Sequence, residues 1–504
     1  MDPKATVYSQ FRKQALSRPE APAVLRPSRE PVTFGELLAF IDESRPALHR
    51  AGVGRGSRLG LLLPERAQSA VAHLLAVSTC TSVPLNPNMM PDELAAAIAD
   101  MQIDSLLAGA GISPQLLAVA TDRGMNTIFV EDEREKAGLF KIAGGGPGVI
   151  RDASLPTADD TAVLLPTSGT TAAAKIVPQT QANRIAMYAV FAGAIGIRPG
   201  DRSMNMMPTY HTTGISAEFM APLTVGASVA FVDLDPGRLI AHVDEFRPTW
   251  FNLVPSMHQS VLDSLGDRVG VFSGSSLRFT RSSSARMPVG MKRNLERLYG
   301  VPMVDVYGAT ETGTIALTGM PGSGSRPGSV GRPVHAGVGI MDVDGNALVP
   351  GERGEICVTG PTVISGYENN PQANAELFRD GWYRTGDEGY LDNDGFLYVT
   401  GRLREVVNRG GEKFSLTEID EAIHRIAGIA TGSAFAAPHP RLGQEVYAAV
   451  VLSAGTDKTP DALRAELATR LSWARAPKRV FIVPELPMNS TGKVLRNRLQ
   501  SLLT

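Results

Sequence analysis

Between Arg58 and Leu107 the chain alternates short apolar runs with longer helical stretches. Arg58 to Leu63 and Ser82 to Leu85 read as strands, Ala67 to Val77 and Pro91 to Asp100 as helices, and Asp104 to Leu107 as a strand again. That alternation is the pattern of parallel βαβ units. It resumes later, with strand-like runs at Ser228 to Val232, Thr249 to Val254, Leu277 to Ser282 and Met303 to Tyr307. Helical segments lie between them, such as Pro236 to Phe246 and Pro288 to Tyr299. Two doubly wound sheets in succession account for the chain as far as the Gly/Ser/Pro loop Gly319 to Gly328.

Ligands of such sheets gather at the carboxyl ends of strands. Two chemistry-bearing stretches fall there. An apolar run, Ala162 to Leu165, opens into Pro166-Thr167-Ser168-Gly169-Thr170-Thr171, then Ala172-Ala173-Ala174-Lys175, with helical character from about Gln179. This loop offers backbone N–H groups, hydroxyl donors and one cation to a single point, which suits phosphate oxygens. A plain Ser/Thr turn is the alternative, because the spacing is not that of a Walker loop. The second stretch, Tyr307-Gly308-Ala309-Thr310-Glu311, puts a ring, a hydroxyl and a carboxylate in one turn. By contrast, Lys141 to Gly148 lacks both a strong preceding strand and a following lysine, and reads as a linking loop.

Beyond Gly328 the segments become short and β-like, at Val338 to Met341 and Glu355 to Thr359, with Asp-Gly turns at Asp344-Gly345 and Asp394-Gly395. After Arg402 a separate small α+β unit is expected. Ser415-Leu416-Thr417-Glu418 has capping-box spacing ahead of Ile419, Ile423 and Ile426, and Thr459-Pro460 opens a second helix. Strands at Val446 to Leu452 and Val480 to Val483 complete it.

Charge excludes some partners. Lys+Arg at 49 against Asp+Glu at 51 leaves no field to attract nucleic acid or an anionic membrane, so neither is expected. Two cysteines, Cys80 and Cys357, are too few for a disulfide framework or a cysteine zinc site. With no apolar leader after Met1 and no apolar run of about 18 residues, the expected compartment is the cytoplasm.

Four motifs stand in a fixed order: Thr167 to Lys175, Tyr307 to Glu311, Thr385-Gly386-Asp387 with Gly401-Arg402, and Pro487-Met488-Asn489-Ser490-Thr491-Gly492-Lys493. In order and spacing they resemble the acyl-adenylate-forming superfamily of acyl-CoA synthetases, adenylation domains and beetle luciferases, over roughly Thr33 to Leu499. Leu277 to Ala285, Arg326 to Gly331 and Asn408 to Lys413 look like the oxalate–CoA ligase branch, which also accepts Gln181 where others carry histidine. The fold implied is α/β. Residues 1–402 would form a large N-terminal AMP-binding domain of two doubly wound sheets plus a distorted β-barrel. Residues 403–504 would form a small mobile α+β C-terminal domain with the catalytic lysine.

The resemblance also implies ATP/AMP, Mg²⁺ and coenzyme A, and assigns roles. Thr167, Ser168, Gly169, Thr170, Thr171 and Lys175 would surround the β/γ-phosphates, Thr310 would bond a phosphate oxygen, and Glu311 would hold Mg²⁺. Tyr307, between Val306 and Gly308, would stack on adenine, with Ser284 and Ala285 on the other face and Asp305 accepting from the exocyclic amine. Asp387 would take the ribose hydroxyls with help from Arg402. Lys493 would bridge the carboxylate and the α-phosphate. Arg404 matches the hinge about which the small domain turns. Gly410 and Gly411 would let pantetheine pass, an ordinary Gly-Gly turn being the plainer reading. His211 matches the position beside the acyl and thiol tunnel.

The expected function is therefore a carboxylic acid–CoA ligase acting through acyl-AMP. Charge builds on phosphate oxygens in its first step, so cations and oriented donors matter more than a general base. Small residues at Ser282, Ser283, Gly308, Ala309, Gly313 and Thr314 imply a roomy pocket for a larger, mostly apolar acid, unless Arg281 points inward. The family's Gly-x-Pro-Lys-Gly is replaced here by Ala172-Ala173-Ala174-Lys175-Ile176. That departure gives a second expectation, a ligase that only converts a supplied acyl-adenylate and coenzyme A to the thioester. Carrier-protein loading and non-catalytic adenylate binding are the further readings. The expected partners are a small carboxylic acid or its acyl-adenylate and coenzyme A, with the chain as a homodimer.

Overall fold

A computed structural model describes the chain except residues 1–3, 134, 151, 168–174, 284–286, 288, 321–323, 325, 454, 489–493 and 504, and gives only the backbone of Val289 and Arg404. Two large sheets form the body. The first has seven strands, in the order Phe140–Ile142, Asn126–Asp132, Ser105–Ala108, Arg58–Leu62, Thr81–Pro84, Thr161–Pro166, Ile176–Thr180. Its inner strands pair in parallel and are buried along nearly their whole length, as strands covered on both faces must be.

The second sheet has nine strands and runs from Arg332–Pro333 through Gly313–Thr318, Met303–Ala309, Thr280–Ser282, Trp250–Leu253, Arg202–Asn205 and Ser228–Phe231 to Pro22–Leu25 and Val32–Thr33. Its far edge is thus built from the start of the chain, with Val24 paired in parallel to Val229. The helix Arg66–Val77 is buried on every side, as a helix enclosed by packed elements on all faces should be. It shares one apolar core with the helix Gln181–Ile195 and the π-helix Thr213–Met220.

After the loop that follows Pro166 the expected helix begins at Gln181, close to Gln179, but the sequence does not show the strand before it. Ile176–Thr180 first folds back antiparallel to Thr161–Pro166. Ile176 and Val177 are β-branched and buried, and Thr180 then caps the helix by accepting from Asn183 N. The expected linking loop at Lys141 likewise begins inside the edge strand Phe140–Ile142.

A third sheet is antiparallel and five-stranded, with Trp382–Leu391 between Gly354–Val358 and Leu397–Arg402. Residues from Val406 onward make a fourth, in which Arg479–Ile482 lies parallel to Gly443–Leu452. It has its own core, including Ile419, Ile423, Val446, Val450, Leu463 and Leu467. The capping box expected at Ser415 is half formed. Ser415 Oγ accepts from Thr417 N at 3.2 Å, while Glu418 pairs instead with Arg475 Nε at 2.9 Å. Among the described residues no helix is long and apolar enough to cross a membrane.

Candidate active site

The strand Met303–Ala309 carries the centre of the site. It turns at Thr310 and Glu311 into the antiparallel strand Gly313–Thr318, and the register shifts between Tyr307 and Gly308. Gly308 is required there, because a Cβ would lie 2.3 Å from the Gly313 carbonyl oxygen. The irregularity re-aims the side chains around it, as bulges next to sites commonly do.

Tyr307 donates its hydroxyl to Asp387 Oδ2 at 2.8 Å, and Arg402 Nε holds Asp387 Oδ1 at 3.0 Å. Asp387 and Arg402 are opposite each other across two paired strands. Desolvation first, and then the Asp387 carboxylate, hold the Tyr307 phenol well above its ordinary pKa, so it stays a donor. The loop before Asp387 is fixed by Glu355, whose oxygens accept from Gly386 N at 2.9 Å and Arg384 Nε at 2.6 Å. Neither Glu355 nor Arg384 is marked by any motif.

At the loop expected to meet phosphate, Thr167 and Lys175 close the base, with Thr167 N donating to Lys175 O at 2.8 Å. Ser168, Gly169, Thr170 and Thr171 lie outside the described residues. Lys175 Nζ stands 4.8 Å from the centroid of the Tyr367 ring, and Tyr367 donates its hydroxyl to Glu311 Oε1 at 2.7 Å. The expected phosphate lysine and the expected metal carboxylate are therefore joined through one tyrosine that sequence reasoning missed. The described residues contain no cluster of three or more metal-ligating side chains. A single carboxylate fits Mg²⁺, which keeps waters and takes its other ligands from phosphates. The Thr310 carbonyl accepts from Gln179 Nε2 at 2.6 Å, which fixes the turn itself. Ile176 places its bulk in the core and its carbonyl accepts from Glu368 N at 3.0 Å.

The remaining expected residues divide. Asp305 Oδ2 accepts from Lys292 Nζ at 3.0 Å, and Val306 packs against the main core. His211 sits beside Tyr210, ring centroids 4.5 Å apart, and its carbonyl accepts from Ile215 N at 3.0 Å as the π-helix begins. Gly410 and Gly411 have φ of +62° and +93° in the hairpin between Val406–Arg409 and Glu412–Ser415. The turn alone accounts for both glycines. Arg281 points into the core, where it pairs with the buried Glu218. Glu218 also accepts from Ser203 Oγ at 2.6 Å and Trp250 Nε1 at 2.9 Å, so Arg281 is not a spare cation. Ser284, Ala285 and Lys493 lie outside the described residues, as does the side chain of Arg404.

The AMP-binding enzyme family matches residues 11–368, and the C-terminal domain of AMP-binding enzymes matches residues 418–493. The chain belongs to the family of AMP-binding enzymes. This AMP-binding enzyme is 31% identical to a probable CoA ligase of Humulus lupulus, over 97% of its own length and 95% of that protein. It is also 31% identical to an oxalate–CoA ligase of Arabidopsis thaliana, over 92% of each chain. Its fold is similar to that of the o-succinylbenzoate-CoA synthetase of Bacillus subtilis in complex with its acyl-adenylate intermediate. The TM-score is 0.84 and the identity 27%, covering 99% of this chain and 98% of that one.

In this AMP-binding enzyme the positioning residues Glu355, Tyr367 and Gln179 come from three different strands or loops. No spacing or periodicity marks them. They become legible only when Gly354–Val358 is paired with Trp382–Leu391, and when Ile176–Thr180 is placed beside the Thr310 turn.

Proposed function

We propose that this AMP-binding enzyme is an acid–thiol ligase that joins a carboxylic acid to coenzyme A through an acyl-AMP intermediate, using ATP and Mg²⁺. A carboxylate oxygen attacks the α-phosphorus of ATP and pyrophosphate leaves. The thiol of coenzyme A then attacks the acyl carbon and AMP leaves. The observation that carries this reading is the meeting of Tyr307, Asp387 and Arg402 in one hydrogen-bonded group, with Thr310 and Glu311 at the end of the same strand. A nucleotide held there has a carboxylate for its ribose, a ring for its base and a metal carboxylate near its phosphates.

Thr310 suits a phosphate oxygen, since its hydroxyl has no protein partner among the described residues. Lys493, on a small domain that we take to begin after residue 402, would neutralise the repulsion between carboxylate and α-phosphate. Rotation about Arg404 would then withdraw it and bring Gly410 and Gly411 to the thiol. The acid is expected to be large and apolar over most of its length. We propose a homodimer in the cytoplasm as the working assembly, which light scattering and fractionation test.

A second reading is supported by Ala172-Ala173-Ala174. Glycines are what anion-binding loops use to turn N–H groups inward. Their loss favours an enzyme slow to make the adenylate and competent to consume it. The deciding experiment scores pyrophosphate and thioester separately, with acid plus Mg-ATP in one reaction and synthetic acyl-adenylate in the other. Equal thioester yield from both supports the full ligase; thioester from the adenylate alone supports the second reading.

A further inference from the structure

Arg184, on the helix Gln181–Ile195, is wholly buried, and among the described residues no carboxylate pairs with it. Its guanidinium donates from Nη1 to Gln179 Oε1 at 2.7 Å, from Nε to the Tyr188 hydroxyl at 2.8 Å, and from Nη2 to Ser216 Oγ at 2.6 Å. All three acceptors are neutral. Arg281, also buried, has Glu218 as its counter-ion. A buried cation held by neutral groups alone is costly, and an apolar side chain would fill the same space at less cost. Packing by itself does not account for Arg184.

Gln179 does. It too is wholly buried, on the strand Ile176–Thr180, and stands between Arg184 and the turn at Thr310 and Glu311. Its Oε1 accepts from Arg184 and its Nε2 donates to the Thr310 carbonyl at 2.6 Å. A primary amide can turn over and exchange its oxygen for its nitrogen. A guanidinium has donors and no acceptor, so only the oxygen can face Arg184. The nitrogen must then face Thr310. A charge-assisted bond at one end of the amide also strengthens the donor at the other. Arg184 is itself fixed at two further nitrogens, by Tyr188 on its own helix and by Ser216 on the π-helix Thr213–Met220. The next carbonyl of the turn, that of Glu311, accepts from Ile364 N at 3.1 Å. Each carbonyl thus has a donor from outside the turn, and the donor to Thr310 is a side chain whose orientation a second side chain sets.

We infer that Arg184 is a positioning residue for adenylate formation. It locks the Gln179 amide, and through it the backbone that presents the Thr310 hydroxyl and the Glu311 carboxylate to the phosphates of ATP and their Mg²⁺. The inference rests on the acid–CoA ligase reading.

Gln179→Glu separates this role from packing. The new carboxylate still accepts from Arg184 and gives it a counter-ion, but it has no donor for the Thr310 carbonyl. The melting temperature should hold or rise. The kcat/KM for Mg-ATP, read from pyrophosphate release, should fall about tenfold or more, and the Mg²⁺ concentration for half-maximal rate should rise. Arg184→Met should lower the rate in the same way, and Arg184→Lys, which keeps a donor for Gln179, should retain part of it. Gln179→Leu combined with Arg184→Met removes both polar partners, so stability should stay near wild type while the rate stays low. A merely structural pair gives rates that follow the melting temperature, with wild-type turnover in Gln179→Glu and recovery in the double variant. Either result overturns the inference. Should Arg184→Met fail to fold, Gln179→Glu decides, because it keeps an acceptor for the guanidinium.

If the wild-type enzyme releases no pyrophosphate with any acid, the full ligase reading fails separately, and calorimetric binding of Mg-ATP decides the role of Arg184. Affinity about tenfold weaker in Gln179→Glu supports it. Equal affinity, or no binding by the wild type, overturns it.

Discussion

Tyr307 and Asp387 belong to different sheets and share a hydrogen bond of 2.8 Å. Through it the nine-stranded sheet, which bears the turn at Thr310 and Glu311, is tied to the five-stranded sheet, which bears Arg402. Asp387→Asn keeps the shape but removes the charge that holds Arg402 and would accept from the ribose. We expect kcat/KM for ATP to fall about a hundredfold, measured by pyrophosphate release at varied ATP. An unchanged value would remove Asp387 from the nucleotide site.

Tyr367→Phe deletes the hydroxyl that orients Glu311 and leaves the ring beneath Lys175 in place. Partners of metal ligands commonly change metal affinity by about tenfold or more. The Mg²⁺ concentration for half-maximal adenylation should therefore rise by about that factor, with saturating rates closer to wild type. A Mg²⁺ titration that superimposes on the wild-type curve contradicts this.

Lys493→Met separates the two half-reactions. Adenylate formation should fall by about a hundredfold or more, because nothing else is proposed to neutralise the carboxylate and α-phosphate together. Thioester formation from synthetic acyl-adenylate should stay within a few-fold of wild type. Equal loss in both reactions would mean that Lys493 acts on structure rather than on the first step.

Acid should destabilise the protein through His258. Burial lowers this imidazole from 6.5 to about 4, against the opposing effect of its hydrogen bond to the Arg281 carbonyl at 3.0 Å. Between those values the unfolded chain binds a proton that the folded chain does not. Stability is therefore fully present above about pH 6.5 and is lost as pH falls towards 4, by at most about 3 kcal/mol. His73 shifts in the same direction and adds to the slope. Urea midpoints across this range should fall with pH, and His258→Gln should flatten the fall. A wild-type midpoint that rises on acidification would contradict the assignment.

Much of the fold was legible in the chain. The helix Pro91–Asp100 and the strand Val338–Met341 have the bounds that their patterns suggested, because their start and stop signals are local. The turn at Thr310 and Glu311 was likewise marked by strand position. Non-local choices were not. Nothing in Pro22–Leu25 says that it will pair with Ser228–Phe231, and nothing around Arg281 names Glu218 as its partner. Arg184 reads as an ordinary helical arginine until packing against the π-helix strips its water away. The expected small residues at Ser282 and Ser283 are buried, and Ser283 Oγ accepts from Asn252 Nδ2 at 3.0 Å, a partner no motif supplies.

Carboxyl-¹⁸O labelling of the acid tests the central chemistry most directly. If the carboxylate attacks the α-phosphorus, one labelled oxygen leaves with AMP when coenzyme A displaces it. Mass spectrometry of the nucleotide after a single turnover should show AMP carrying one ¹⁸O. Thioester formed alongside unlabelled AMP, or label recovered in inorganic phosphate, would contradict an acyl-adenylate route.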